Sequence, residues 1–139
     1  MILLAAVLTA VLLPIAALHA YWGLGGVWPA SDVAALARAV VGDGRTRMPP
    51  PWSCFAVAVV LAGVAAWPWV ILAGARHDGV VVVSIVIAGV FFLRGLAGYS
   101  PRWRSRFPVE PFAARDRQIY SPLCMVIATG FMALLAEEM

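Results

Sequence analysis

Residues 53–73, SCFAVAVVLAGVAAWPWVILA, and residues 79–97, GVVVVSIVIAGVFFLRGLA, are separated only by GARHD, and Arg94 is the one charge within either run. A helix needs about 20 apolar residues to cross a hydrocarbon core of about 30 Å, because each residue rises about 1.5 Å. Both runs meet that length. Two further runs flank them, at about residues 2–24, where Pro14 is tolerated as a kink, and at about residues 121–136. The sequence therefore predicts an all-α integral membrane protein, a single membrane domain over residues 1–139 built as a four-transmembrane-helix antiparallel bundle. The short Gly74 to Gly79 connection predicts that spans two and three are neighbours in a hairpin.

The composition agrees. Of 139 residues, 63% are hydrophobic and 12% charged; the mean hydropathy is +0.92. A soluble domain of this size could not bury so much apolar surface. The first run reads as a span and not a secretory signal: no positive residue precedes it, it is too long, and no A-x-A site comes before Tyr21 and Trp22.

Between spans one and two, Ser31 and Asp32 are good caps, Gly42 is a good stop, and Val33, Leu36, Ala37, Val40 and Val41 recur at helical spacing. This predicts a short amphipathic helix at about residues 32–41, lying on the membrane surface. The Gly42 to Pro51 stretch, with three consecutive prolines, reads as an extended connector.

The net charge of +3 comes from ten arginines and no lysine. Arg38, Arg45 and Arg47 fall in the first loop, Arg76 in the second, and Arg94, Arg102, Arg104, Arg106, Arg115 and Arg117 in or beside the third. Loops one and three share a side, so nine of ten arginines do, and the positive-inside rule puts that side in the cytoplasm. The expectation is a bacterial cytoplasmic (inner) membrane, with loops 25–52 and 98–120 cytoplasmic and both termini periplasmic. Trp28, Trp52, Trp103 and Tyr120 would then form an aromatic belt at the cytoplasmic interface.

The polar residues gather at that same boundary. His19 lies about 26 Å along span one and Arg94 about 22 Å along span three. Asp116, Tyr120, Ser121 and Cys124 stand at the start of span four. Ionisable groups within a membrane are costly and mark a pairing or a function. One reading is a polar pocket, with Arg94 paired to Asp116 and His19 hydrogen-bonded to Tyr120. The other has Arg94 snorkelling to the interface and Arg115, Asp116 and Arg117 solvated. His19, Trp22, Gly23 and Gly26 share a helical face, and the two glycines would allow close packing of another helix. Asp116, Tyr120 and Cys124 form a stripe if the last helix is continuous; Ser121 and Pro122 instead describe a helix start.

Metal and disulfide chemistry find little support. Cys54 and Cys124 make no CxxC pair, and no Cys/His set has ligand spacing, so no metal and no cofactor is predicted. His77 lies at the opposite end from His19, so one subunit cannot offer both to a haem. Without a soluble basic groove, the aromatic residues are not nucleic-acid platforms.

Three segments, His19-x-Tyr21-Trp22-x-x-Gly25-Gly26, Leu93-Arg94-Gly95, and Phe112 through Asp116 to Tyr120-Ser-Pro-Leu-Cys124, resemble a family of small bacterial four-span membrane proteins known only as a domain of unknown function. The resemblance spans most of the chain. It implies the four-span architecture and the importance of His19, Tyr21, Trp22, Arg94, Asp116, Tyr120, Ser121 and Cys124, and it brings no activity. One departure stands out: Gly95-Leu-Ala-Gly-Tyr99 follows Arg94 where an acidic or polar residue is expected, which favours Asp116 as the partner of Arg94.

Function follows only by class. A binding or accessory protein, partnered with the lipid bilayer, other membrane subunits or a second copy, needs no more than spans, packing faces and a polar cluster. An enzyme acting on a lipid, quinone or isoprenoid could use His19 and Tyr120 for proton transfer and Arg94 for an anionic head group. A proton-coupled transporter would be expected to carry a carboxylate in mid-membrane, and no Asp or Glu lies inside a span. The sequence leans away from an enzyme and towards the accessory reading.

Overall fold

The computed structural model describes residues 1–74 and 77–139. Its described residues form helices α1 (Ile2–Gly23), α2 (Val33–Val40), α3 (Pro51–Gly74), α4 (Asp78–Ala97), α5 (Pro101–Arg106) and α6 (Phe112–Arg115), then a π-helical turn (Asp116–Tyr120) and α7 (Ser121–Glu138). No strand occurs among them. The four long apolar helices are α1, α3, α4 and the continuous stretch Phe112–Glu138.

These helices are apolar on all sides, as expected where the solvent is lipid. Only 17–33% of each apolar window is buried within the protein, and outward-facing side chains such as Val59, Val60, Leu93 and Val126 are more than 60% exposed. The outer surface is therefore a hydrocarbon-facing one. Packing between helices must then come from shape and hydrogen bonds, since lipid tails are as apolar as leucine.

Two antiparallel pairs carry most of the contact: α1 with α3, and α4 with α7. In the first pair Gly23 meets the Phe55 ring, and Thr9 donates to the Ala65 carbonyl at 2.7 Å. In the second, Gly95 meets Met125 and Gly98 meets Ser121. Spans two and three, expected to be packed neighbours, touch far less than either pair. Sequence proximity fixes which ends meet, whereas the small residues on α4 decide which helix lies alongside. The connection between α3 and α4 includes Ala75 and Arg76, which lie outside the described residues.

The pairs join in the half of the bundle that holds the two termini. There Leu12, Ile71, Phe131 and Leu134 have no exposed surface and pack with Ala5, Leu8, Ala65 and Ala88. Two indole hydrogen bonds accompany this core, one part-buried and one on the exposed side. Trp67 and Trp69 flank Pro68, and their indole N–H groups donate to Ser84 of α4 and Thr9 of α1, each at 3.0 Å. Thus α3 is tied to a helix of each pair.

At the opposite, arginine-rich end, Asp32 caps α2 by accepting from the Ala35 N–H at 2.8 Å. The helix is slightly shorter than the 32–41 expected. Leu36 and Ala37 on its apolar face are buried by the protein itself, where α2 packs against α6, while Val33 stays exposed. The two arginine-bearing loops are stapled together. Gly42, at φ +75°, fits only without a Cβ because the Phe112 ring fills that space, and its carbonyl accepts from the Val109 N–H at 3.1 Å.

Candidate functional site

The last long apolar helix runs through Ser121 without a break, from Phe112 to Glu138. Pro122 has no N–H to donate within a helix, and one way to accommodate it is to widen the preceding turn. The Ser121 N–H bonds five residues back to the Asp116 carbonyl, making residues 116–120 a π-helical turn inside one continuous helix. The spacing-of-four stripe of Asp116, Tyr120 and Cys124 is thereby broken. In a π turn residues five apart align, so Asp116 and Ser121 share a face, and both lie against Gly98.

Gly98 and Gly95 make that approach possible. A Cβ on Gly98 would collide with the Ser121 hydroxyl and sit 2.9 Å from Asp116 Oδ2; one on Gly95 would collide with Met125 and sit 3.0 Å from the Ser121 carbonyl. With α7 this close, Arg94 in the last turn of α4 reaches the carboxylate. Arg94 Nη2 donates to Asp116 Oδ1 at 2.6 Å and Nη1 to Ser121 Oγ at 3.4 Å. Asp116, only 2% exposed, accepts a second hydrogen bond at Oδ2, from Trp103 Nε1 at 2.9 Å. The Trp103 ring also covers Arg94, with the guanidinium carbon 4.4 Å from its centroid, a cation–π contact.

Trp103 is the member that sequence reasoning misses. The sequence places it in an exposed aromatic belt, and Trp28 and Trp52 are indeed exposed. Trp103 instead sits on α5, whose cap Ser100 accepts from the Trp103 N–H at 3.2 Å. A Ser-Pro pair at residues 100–101 is the available signal for that helix start. From Trp103 an aromatic chain runs through Phe107 (4.4 Å between centroids) and Phe112 (6.1 Å) to Tyr120 (5.8 Å).

His19 lies apart from this network. Its Nδ1 is 2.8 Å from the Ile15 carbonyl of its own helix, and its ring meets Trp22 edge-on at 5.1 Å. The Tyr120 hydroxyl reaches the Ala39 carbonyl of α2, at 3.5 Å, so the expected hydrogen bond between His19 and Tyr120 does not form. Tyr21 and Trp22 fold the chain back after α1: the Trp22 indole donates to the Trp28 carbonyl at 2.8 Å, and Gly26 lies against the Tyr21 ring of the same turn instead of another helix. Gly23 does face a second helix, at Phe55. Cys54 and Cys124 are free thiols. Among the described residues no group of three or more His, Cys, Asp or Glu could hold a metal ion.

Outside the spans, Asp43 and Arg45 form an exposed ion pair at 2.7 Å, and the guanidinium holds the Asp43 carboxyl below the ordinary aspartate value. It braces the first loop locally.

Residues 12–131 match the model of a family described as a protein of unknown function, DUF3995. The chain belongs to this family. The match takes in α2 to α6 whole, the latter half of α1 and more than half of α7, so both the Arg94 cluster and His19 fall within the DUF3995 region. Comparison with curated proteins and with solved structures finds no match.

Proposed function

We propose that the chain is a non-catalytic binding or accessory protein of a bacterial cytoplasmic membrane, in which the Arg94 cluster fixes the arginine-rich face that partners read. One observation carries the reading: both oxygens of Asp116, the cluster's only carboxylate, are already engaged, by Arg94 and by Trp103. A carboxylate with a partner on each oxygen and only 2% of its surface exposed supports a structural role for the cluster. The acid–base alternative also lacks its pair, because His19 and Tyr120 bond to different backbone carbonyls.

The orientation belongs to the same proposal. Arg102, Arg104, Arg106, Arg115 and Arg117 are all exposed on the face formed by α5, α6 and the π turn. Nine of the ten arginines belong to that end of the bundle, which supports placing it in the cytoplasm with both termini outside.

The test is native mass spectrometry of the protein extracted gently from its own membrane, with an absorption spectrum of the same sample. The expected result is a chain held in stoichiometric assembly with other polypeptides or a second copy, with Asp116→Asn weakening assembly and thermal stability together. A pigment or quinone that is lost on His19→Ala while assembly stays intact would overturn the accessory reading.

A further inference from the structure

Above the Arg94 cluster the loops enclose a polar cavity of about 150 Å³. Buried Gly98 and Asp116 form its floor, half-buried Trp103 and Phe107 line its wall, and exposed Arg104, Arg117 and Glu110 stand at its mouth. The volume equals that of about five waters, at roughly 30 Å³ each. It suits a small polar group and excludes an acyl chain.

The charges at the mouth are not paired with one another. Among the described residues the ion pairs are Arg94–Asp116 and Arg45–Asp43, so Arg104, Arg117 and Glu110 line one cavity without joining in a salt bridge. Glu110 uses Oε2 to accept from the Ala114 N–H at 3.0 Å, which orients the carboxylate and leaves Oε1 open. Asp116 on the floor is neutralised by Arg94. The charged residues lining the cavity, beyond the neutralised Asp116, are therefore two arginines and one glutamate.

The cavity lies at the end of the apolar helix α4, since Gly98 directly follows it, and against the first turns of the continuous last helix, which carry Asp116. Deeper along the same helix pair, an apolar groove of about 390 Å³ runs between Phe92, Gly89 and Ile85 of α4 and Ala128 and Met132 of α7. We propose that this cavity is a binding site for a phosphate ester bearing a primary ammonium, the head-group chemistry of an aminophospholipid. Arg104 and Arg117 hold the phosphate, Glu110 holds the ammonium, and the acyl chains stay outside the cavity, along the lipid-facing surface of the bundle. Guanidinium groups suit phosphate oxygens, and an open carboxylate oxygen suits an ammonium. Glu110 also repels an anionic head group that lacks the ammonium, so it sets selectivity. This assignment goes beyond the accessory reading and does not depend on it.

The test is native mass spectrometry of the full chain in detergent with equal amounts of phosphatidylethanolamine and phosphatidylglycerol. The wild type is expected to retain phosphatidylethanolamine preferentially. Arg104→Ala and Arg117→Ala should each weaken that retention on the order of tenfold, the loss expected for one charge-assisted hydrogen bond. Glu110→Gln should abolish the preference by admitting phosphatidylglycerol. Arg102→Ala removes an equal charge from outside the cavity and should change nothing, which separates the site from general surface charge. Equal retention of both lipids by the wild type, or equal losses from Arg102→Ala and Arg104→Ala, would overturn the proposal. Competition by soluble phosphoethanolamine as strong as by the lipid would overturn the membrane source.

Discussion

Asp116 and Gly98 together explain how a carboxylate can be kept at a membrane boundary. The glycine lets α7 approach, the arginine neutralises the charge, and the indole satisfies the second oxygen. Removing one partner of a buried pair leaves the other uncompensated, at about 3–5 kcal/mol when both are fully enclosed. Arg94 keeps 29% of its side-chain surface exposed and can turn towards water, so Asp116→Ala is expected to cost about 2 kcal/mol. A melting curve in detergent reads this; no loss of stability would mean that the pair contributes nothing. The glycine is tested separately. Gly98→Ala drives a methyl into Ser121 and should destabilise by at least about 2 kcal/mol, whereas Gly63→Ala, on the open outer face of α3 with nothing within 4 Å, should leave the melting temperature unchanged or raise it.

At the scale of elements, the hydroxyls of Thr9 and Ser84 matter because the tryptophans on either side of Pro68 have polar edges within an apolar bundle. Such interhelical bonds in membranes average about 0.6 kcal/mol by double-mutant cycles. The cycle Trp67→Phe with Ser84→Ala is therefore expected to give a coupling of about 0.6–1.7 kcal/mol in reversible unfolding. A coupling of zero would show that the two side chains are only adjacent. The four spans are legible in the sequence because long, nearly uninterrupted apolar runs need no periodicity to be recognised. Which helices pair is not, since a Val facing lipid and a Val facing a helix are the same letter. The π turn is hidden for a different reason: Ser121-Pro122 reads equally as a helix start, and it is the backbone bond from the Ser121 N–H to the Asp116 carbonyl that carries the helix through it. Arg94 and Asp116 can be proposed as partners from depth alone, but Trp103 cannot be, because an interfacial indole and a cluster-forming one carry the same sequence signal.

For the whole molecule, the distribution of charge is the strongest constraint on how it sits in the membrane. A juxtamembrane arginine near an anionic surface contributes about 1 kcal/mol, and nine of the ten arginines belong to the end that carries α2, α5 and α6. Orientation should therefore be robust to any single change. Single cysteines placed at Arg47, Arg106, Asp78 and Glu138, in a Cys54→Ser/Cys124→Ser background, provide the measurement. In intact cells a membrane-impermeant maleimide is expected to label the Asp78 and Glu138 positions, and to label those at Arg47 and Arg106 only after the membrane is opened. Adding Arg76→Glu should leave that pattern as it is, because it raises an asymmetry that is already large. Labelling of the Arg47 and Arg106 positions from outside would invert the assignment, and would move the polar cavity to the other leaflet together with the loops that form it, since the Gly42–Val109 hydrogen bond ties those loops to one side.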